Sequence, residues 1–302
     1  MSKRLVSLFL ALLLALCAAS VTAESAAVTV TDMYDRVIEL DEPVTRIVAL
    51  TPSDCEILCA IGCEDALVGR GKYCDYPESI LDVPVVQSGA ETNMEEILAL
   101  EPQVVLMSDM SQTEEQANML EQNGVKVVIS DANDIAGTYT AIRMIGKLMG
   151  KDAEAETVIA DMQATFDEIA ANSPASGKTI YFEVTPLQWG LWTAGSATFM
   201  DELATMCGLT NAFSDIEGWA AISEEQVLER NPDYIVSIAG MGDTAVEEIM
   251  GREGWGDLNA IKNAEVYNAD SNAIARPGPR LKDAAIELYN FLNDIVEEEP
   301  AA

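Results

Sequence analysis

No histidine occurs anywhere in the 302 residues. Its absence removes Ser-His-Asp and Cys-His catalysis, the commonest general base, and imidazole-ligated zinc or manganese. The glycine-rich lysine loop that cradles nucleotide phosphates is missing too. Gly69-Arg70-Gly71 lacks the third glycine of a dinucleotide fingerprint. Basic residues are scarce, 17 against 51 acidic ones, for a net charge of −34. A chain so acidic has no footprint for phosphate backbones, so nucleic acid is excluded as a partner. Such charge keeps a protein soluble and can steer it onto a basic surface.

Long apolar runs are confined to the N-terminus. Lys3 and Arg4 precede an apolar run over 5–19, and Val21-Thr22-Ala23 offers a small-residue cleavage site. The run falls short of the about 20 residues of a membrane span, so 1–23 reads as a secretory signal peptide. Leu14-Ala15-Leu16-Cys17 loosely matches a lipid-attachment motif, and anchoring through Cys17 stays open beside cleavage after Ala23. The expected location is therefore outside the cytoplasm, periplasmic or at the cell surface. Beyond the leader, Cys55, Cys59, Cys63, Cys74 and Cys207 form an odd, uneven set that does not read as a disulfide framework. The first three fall at i, i+4 and i+8 on one helix face. They read as small core residues, with a soft-metal site shared with Cys74 as the alternative.

What is present is a tract that occurs twice. Glu95-Glu96-Ile97-Leu98-Ala99-Leu100-Glu101-Pro102-Gln103-Val104-Val105-Leu106 returns 130 residues later as Glu225-Gln226-Val227-Leu228-Glu229-Arg230-Asn231-Pro232-Asp233-Tyr234-Ile235-Val236. Each copy reads as helix, proline-marked turn and buried strand. Around the first copy, a hairpin is expected over 28–40, strands over 46–50, 66–69 and 125–129, and helices over 52–62, 112–123 and 135–149. A helix over 151–171, with Val158, Ile159, Met162, Phe166 and Ile169 at helical spacing, would reach about 30 Å and join two lobes. After it come a strand over 179–184, a helix over 198–208 and a last helix over 280–296. The alternation predicts an α/β fold: two Rossmann-like lobes with parallel sheets, joined by one long connecting helix. The expected division is a signal peptide at 1–23, an N-terminal lobe at 24–150, the connecting helix at 151–173 and a C-terminal lobe at 174–302.

Two lobes imply a cleft, and α/β ligands bind beyond the carboxyl ends of strands. Tyr73 follows a first-lobe strand, Trp192 lies in the matching second-lobe loop, and Trp219 stands just before the second tract. Such aromatics either wall a bulky ring system or cap the lobe cores. Arg276 and Arg280 flank a stiff Pro-Gly-Pro segment, where each either contacts a ligand or pairs with a carboxylate.

The succession of strand and Thr-Pro, helix, Tyr73-Cys74-Asp75-Tyr76-Pro77 loop, tract, long helix and second lobe resembles the ABC-transporter periplasmic-binding proteins for cobalamin, iron-siderophores and haem, closest to the cobalamin-binding branch. The resemblance covers essentially the whole chain after the leader. It implies a class III binding-protein fold and no enzymatic activity. It implies one docking glutamate per lobe for a dimeric membrane permease, matching Glu95 and Glu225, and a cleft lined by Tyr73, Trp192, Trp219 and Arg276. It implies no intrinsic cofactor or metal, a corrinoid as cargo, and a monomer. Haem or a ferric siderophore, with Tyr73 as a phenolate ligand to haem iron, is the alternative. An enzyme or cysteine-ligated metalloprotein on the same scaffold is a third reading. Ser88-Gly89-Ala90 stands where cobalamin binders carry a first-lobe tryptophan.

Overall fold

A computed structural model of the chain describes residues 27–89, 91–108 and 112–295. The expected leader, Cys17, and Ala90 of the Ser88-Gly89-Ala90 segment lie outside the described residues. The chain enters through an antiparallel hairpin, β1 (Val28–Thr31) and β2 (Val37–Leu40), whose alternation turns Val28, Val30 and Ile38 inward.

The first lobe then runs β3 (Ile47–Ala49), α1 (Pro52–Ala60), β4 (Leu67–Gly71), β5 (Val85–Val86), α2 (Met94–Ala99), β6 (Val104–Met107), α3 (Glu114–Gln122) and β7 (Lys126–Ile129). Its sheet has the order β5-β4-β3-β6-β7 with every neighbouring pair parallel. Two helices follow, α4 (Ile135–Leu148) and α5 (Asp152–Asn172). The second lobe runs β8 (Thr179–Glu183), β9 (Trp192–Ala194), α6 (Phe199–Met206), β10 (Thr210–Asn211), β11 (Trp219–Ala221), α7 (Glu224–Arg230), β12 (Tyr234–Ser237), α8 (Ala245–Met250), α9 (Asn259–Lys262), β13 (Val266–Asn268), α10 (Ser271–Ile274) and α11 (Leu281–Leu292). Its sheet, β10-β8-β12-β13, is also parallel throughout, while β9 and β11 pair separately as an antiparallel ribbon.

The repeated tract forms the centre of both lobes. Its strands, β6 and β12, are interior in their sheets and buried at every position. Each preceding helix ends in a left-handed residue directly before proline, Glu101 at φ 49° and Asn231 at φ 45°. Proline bars the right-handed α region to its predecessor, and here the chain leaves by the left-handed one.

The connector α5 buries Ala155, Ile159, Met162, Phe166 and Ile169 along one stripe. It packs against α4 on the first-lobe side and α11 on the second-lobe side. A Cβ on Gly146 of α4 would stand 2.5 Å from the Ala155 Cβ, so these two helices need glycine to approach so closely. One apolar core consequently passes from Ile47 and Leu106 through α5 to Ile180 and Val236. Shared packing of this kind resists large hinge motion.

Most expected elements appear with shifted ends. The strand expected over 66–69 is Leu67–Gly71, because Ala66 closes a 3-10 turn. The last helix begins at Leu281 and stops at Leu292, short of the expected end. Thr51 is the N-cap of α1, and its hydroxyl bonds the Asp54 carboxylate at 2.5 Å instead of a backbone amide.

Candidate functional site

Each sheet has a point where the chain order reverses. In the first lobe β4 lies on one side of β3 and β6 on the other; in the second, β10 and β12 flank β8. Ligand crevices open beyond the carboxyl ends of strands at such points. The loops leaving these ends meet between the lobes. Asn133, after β7, accepts from the Phe199 amide at 2.9 Å, and Glu202 accepts from the Ile135 amide at 2.7 Å. On another side, the loop after α10 reaches the loop after β4 through Arg276.

The aromatic candidates sit on these loops. Tyr73 is 67% exposed and Trp192 is 43% exposed, high values for rings in a folded chain. A cavity of about 610 Å³ opens beside Tyr73, bordered by Lys72, Val85, Gln87, Ser88 and Glu96. Buried Arg70 shapes this loop by donating to the carbonyls of Cys74 (2.7 Å) and Leu81 (2.9 Å). Trp192 and Trp219 come together on the β9–β11 ribbon. Trp192 pairs with Ala221 and Trp219 with Ala194, so the period of two puts both tryptophans on one face. Trp219 is half-buried with its ring 5.6 Å from that of Phe199, which makes it partly core and partly wall. Trp189, on a 3-10 turn before the ribbon, is the most exposed large ring among the described residues, at 73%. Sequence reasoning assigned it no role; a tryptophan beside Gly190 in a turn is the signal that was available.

Arg276 is brought against the first lobe and bound there. It donates to Asp75 (2.8 Å), Glu56 (3.1 Å), the Tyr73 carbonyl (3.2 Å) and Asn272 (2.7 Å). Arg280 pairs with Asp270 at 2.7 Å and stands 4.2 Å over the Tyr76 ring. Glu56 was invisible to sequence reasoning, since a glutamate inside a helix looks solvated, but this helix buries 54–58 in succession. It is buried, and burial raises its pKa against the pull of Arg276 and Arg280. Partial burial also pushes Asp75 up, but the Arg276 hydrogen bond and charge prevail and hold it below its usual value.

Glu95 and Glu225 occupy the same place in the two tracts. Each is the second residue of its helix and exposed. Asn93 caps α2 by accepting from the Glu96 amide, and Ser223 caps α7 by accepting from that of Gln226. A carboxylate here is favoured by the helix dipole. The Ser223 hydroxyl additionally holds the Glu225 carboxyl below its ordinary pKa.

The cysteine stripe packs into the first lobe. Cys55 and Cys74 are fully buried and both thiols point at the Ala49 carbonyl, at 3.7 and 3.9 Å. Burial pushes the half-buried Cys59 thiol up to about 12. Among the described residues no group of three or more acidic or thiol side chains is close enough to share a metal ion. No described helix is long and apolar enough to cross a membrane.

Comparison with known proteins gives concordant matches. The family model described as "Periplasmic binding protein" matches residues 47–273. An uncharacterized ABC transporter substrate-binding lipoprotein, YvrC of Bacillus subtilis strain 168, is 31% identical over 268 residues, covering 86% of this chain and 84% of that protein. The vitamin B12-binding protein of Salmonella choleraesuis strain SC-B67 is 30% identical over 257 residues, covering 83% and 91%. The crystal structure of a possible iron-binding (periplasmic solute-binding) protein from Staphylococcus epidermidis ATCC 12228 superposes with a TM-score of 0.72 at 28% identity, covering 83% of this chain and 99% of that one.

Proposed function

The chain belongs to the periplasmic binding protein family, solute-capturing components of ABC importers and not enzymes, and from that premise we propose that it captures a corrinoid between its lobes and delivers it to a permease. The lobes are taken as 24–150 and 174–302, with 151–173 between them. The observation that carries the reading is the tryptophan pair on one face of the β9–β11 ribbon. Two tryptophans on one ribbon face suit a wide, flat macrocycle, and stacking on aromatics supplies affinity without requiring charge. Tyr73 supplies the facing ring from the first lobe. The similarity to a vitamin B12-binding protein over most of both chains supports the same cargo. Glu95 and Glu225 are read as the two docking anchors for a dimeric permease, one per lobe, with the binding protein a monomer. The chain works outside the cytoplasm; anchoring through Cys17 follows the lipoprotein relative.

Calorimetric titration with cyanocobalamin, haem and a ferric siderophore in parallel tests the cargo. The expected result is saturable one-to-one binding of the corrinoid alone, at about micromolar affinity or tighter. Trp192→Ala should weaken it about tenfold or more without changing stability, because that ring is already half exposed. Binding of haem or the ferric siderophore without the corrinoid would replace this reading. The exposed Tyr73 is the observation favouring that alternative, since a phenolate can ligate haem iron.

A further inference from the structure

All the terminal donors of Arg276 are engaged by the protein itself. A guanidinium carries a pair of N–H groups on each terminal nitrogen. Nη1 donates to Asp75 (2.8 Å) and Glu56 (3.1 Å), and Nη2 to Asn272 (2.7 Å) and the Tyr73 carbonyl (3.2 Å). The side chain is 11% exposed, and charge-assisted bonds away from water hold more firmly than surface ion pairs. The segment it grips follows β4 without regular structure. Among the described residues, 73–76 make one backbone hydrogen bond, from the Cys74 amide to the Gly71 carbonyl at 3.1 Å. Arginines hold the rest. Arg70 of β4 donates to the Cys74 carbonyl at 2.7 Å, Arg276 takes the Tyr73 carbonyl and the Asp75 carboxylate, and Arg280 stands 4.2 Å over the Tyr76 ring. Arg70 belongs to the first lobe; Arg276 and Arg280 reach over from the second. Tyr73 is 67% exposed, so core packing does not set its ring, and the ring stands where its backbone is held.

We propose that Arg276 is a positioning residue that acts on the solute through Tyr73. Reaching from the second lobe, it holds residues 73–75 of the first, so that the Tyr73 ring is set against the cleft before the solute arrives. Asn272, four residues earlier on α10, keeps the fork turned toward the first lobe. Glu56, 2% exposed in its side chain, anchors the same fork from α1. A contact set in advance raises affinity, because the loop is ordered in folding and not at the cost of binding. Apposition of the lobes and presentation of the ring thereby become one event. Hydrogen bonds fail beyond about 3.5 Å, so a separation of the lobes by about 1 Å suffices to break the fork from Tyr73 and Asp75 together. Arg70 alone would then retain the loop, and the solute would lose its first-lobe wall without any large hinge motion.

This inference rests on the reading of the interlobe loops as the solute site, and its two measurements separate the one from the other. Trypsin is first applied under native conditions to the protein without solute, because exposed Lys72 directly precedes Tyr73. Cutting at that bond, read by mass spectrometry as a fragment beginning at Tyr73, should be about tenfold faster in Arg276→Gln, with cutting after exposed Lys262 unchanged. Asp75→Ala, at a half-exposed position, loosens the loop without taking Arg276 from buried Glu56. It should quicken the same cut by a smaller factor, and it carries the test if Arg276→Gln does not fold. An unchanged rate at Lys72 would overturn the proposal whatever the solute. Cyanocobalamin is then titrated by calorimetry into the wild type, Arg276→Gln, Tyr73→Ala, Trp192→Ala and the two double variants that contain Arg276→Gln; if haem or a ferric siderophore binds in its place, that solute is used. Arg276→Gln should weaken binding about tenfold in the wild type and in Trp192→Ala, but less than about twofold in Tyr73→Ala. A general loss of stability would weaken binding alike in both backgrounds. The full loss in Tyr73→Ala would overturn the proposal, since Arg276 would then touch the solute itself or shape the whole cleft. Faster cutting at Lys72 with none of the three solutes bound would sink the solute reading and leave the hold on the loop standing.

Discussion

The two lobes repeat one part of their structure closely and another hardly at all. The tracts at Glu95 and Glu225 agree in helix position, cap, left-handed turn and central strand. The Thr-Pro junctions at Thr51-Pro52 and Thr185-Pro186 diverge at once. The first opens an α-helix, with its hydroxyl held by Asp54; the second opens a 3-10 turn, with its hydroxyl donating to the Gly190 carbonyl at 2.5 Å. Two residues ahead of Thr-Pro, the first strand ends in Ala49 and the second in Glu183, a buried carboxylate gripped by Arg252 through bonds of 2.6 and 2.7 Å. Two residues after it, the first lobe buries Asp54 where the second exposes Gln188. A symmetric partner surface, as proposed, would keep the tract alike, and an asymmetric solute would leave the strand ends free to differ.

Reversing charge on the repeated feature is expected to have the largest effect. On the proposal that each lobe carries its own docking anchor, Glu95→Arg or Glu225→Arg alone should abolish uptake in cells while leaving ligand affinity unchanged. Retained uptake in either variant would break the equivalence of the two tracts, and a parallel loss of affinity would show that the residue serves the cleft instead.

The buried ion pair peculiar to the second lobe comes next. Arg252 and Glu183 are both almost inaccessible, and Glu248 and the Trp255 ring complete the arginine's surroundings. Arg252→Met strands Glu183 and should cost about 3–5 kcal/mol in denaturant unfolding. Glu183→Leu combined with Arg252→Met should cost less than the single change, since the first lobe closes the same strand end with Ala49. A double variant as damaged as the single one would mean the pair shapes the second lobe in a way the first achieves otherwise.

Asp54 is the corresponding peculiarity of the first lobe. Burial raises its pKa to about 6, with Asp131 adding to the shift and Thr51 and Ser130 opposing it. A carboxyl whose folded pKa lies above its unfolded value contributes stability that is present below pH about 4 and lost as pH rises through about 6. The wild type should therefore lose about 3 kcal/mol over that window. Asp54→Asn, like Gln188 in the other lobe, should remove this dependence and be more stable by a similar amount above pH about 6. Coincident pH profiles for the two proteins would return Asp54 to an ordinary carboxylate.

Sequence patterns reach the repeated features more easily than the peculiar ones. The tract, the connector and the alternation of strand and helix are written in periodicity and proline placement, which act locally. Trp192 and Trp219 could be noticed as residues, but their sharing a ribbon face depends on a pairing of strands 27 residues apart. The Glu56–Arg276 bond joins positions separated by 220 residues, and nothing near either one announces it. The same holds for Glu183 and Arg252, 69 apart. Arg276 was legible as a rare cation on a stiff loop, yet whether it faced solute or protein depended on which carboxylates the other lobe brought to it.

The smallest expected effect tests the tract's own symmetry. Both copies turn through a left-handed residue before proline, but one uses Asn231 and the other Glu101. Asparagine tolerates this region better than glutamate, whose longer side chain gains no local hydrogen bond in return. Asn231 also earns a second contact by accepting from the Asn259 amide at 2.8 Å, while Glu101 is exposed and its carbonyl serves Arg46. Glu101→Asn keeps that carbonyl contact and relieves the backbone, so it should stabilise the protein by about 0.5–1 kcal/mol. Asn231→Glu should cost more than Glu101→Asn gains, because it also removes the bond to Asn259. Equal and opposite shifts in thermal unfolding would mean that backbone conformation alone distinguishes the two turns, and that the Asn259 contact contributes nothing.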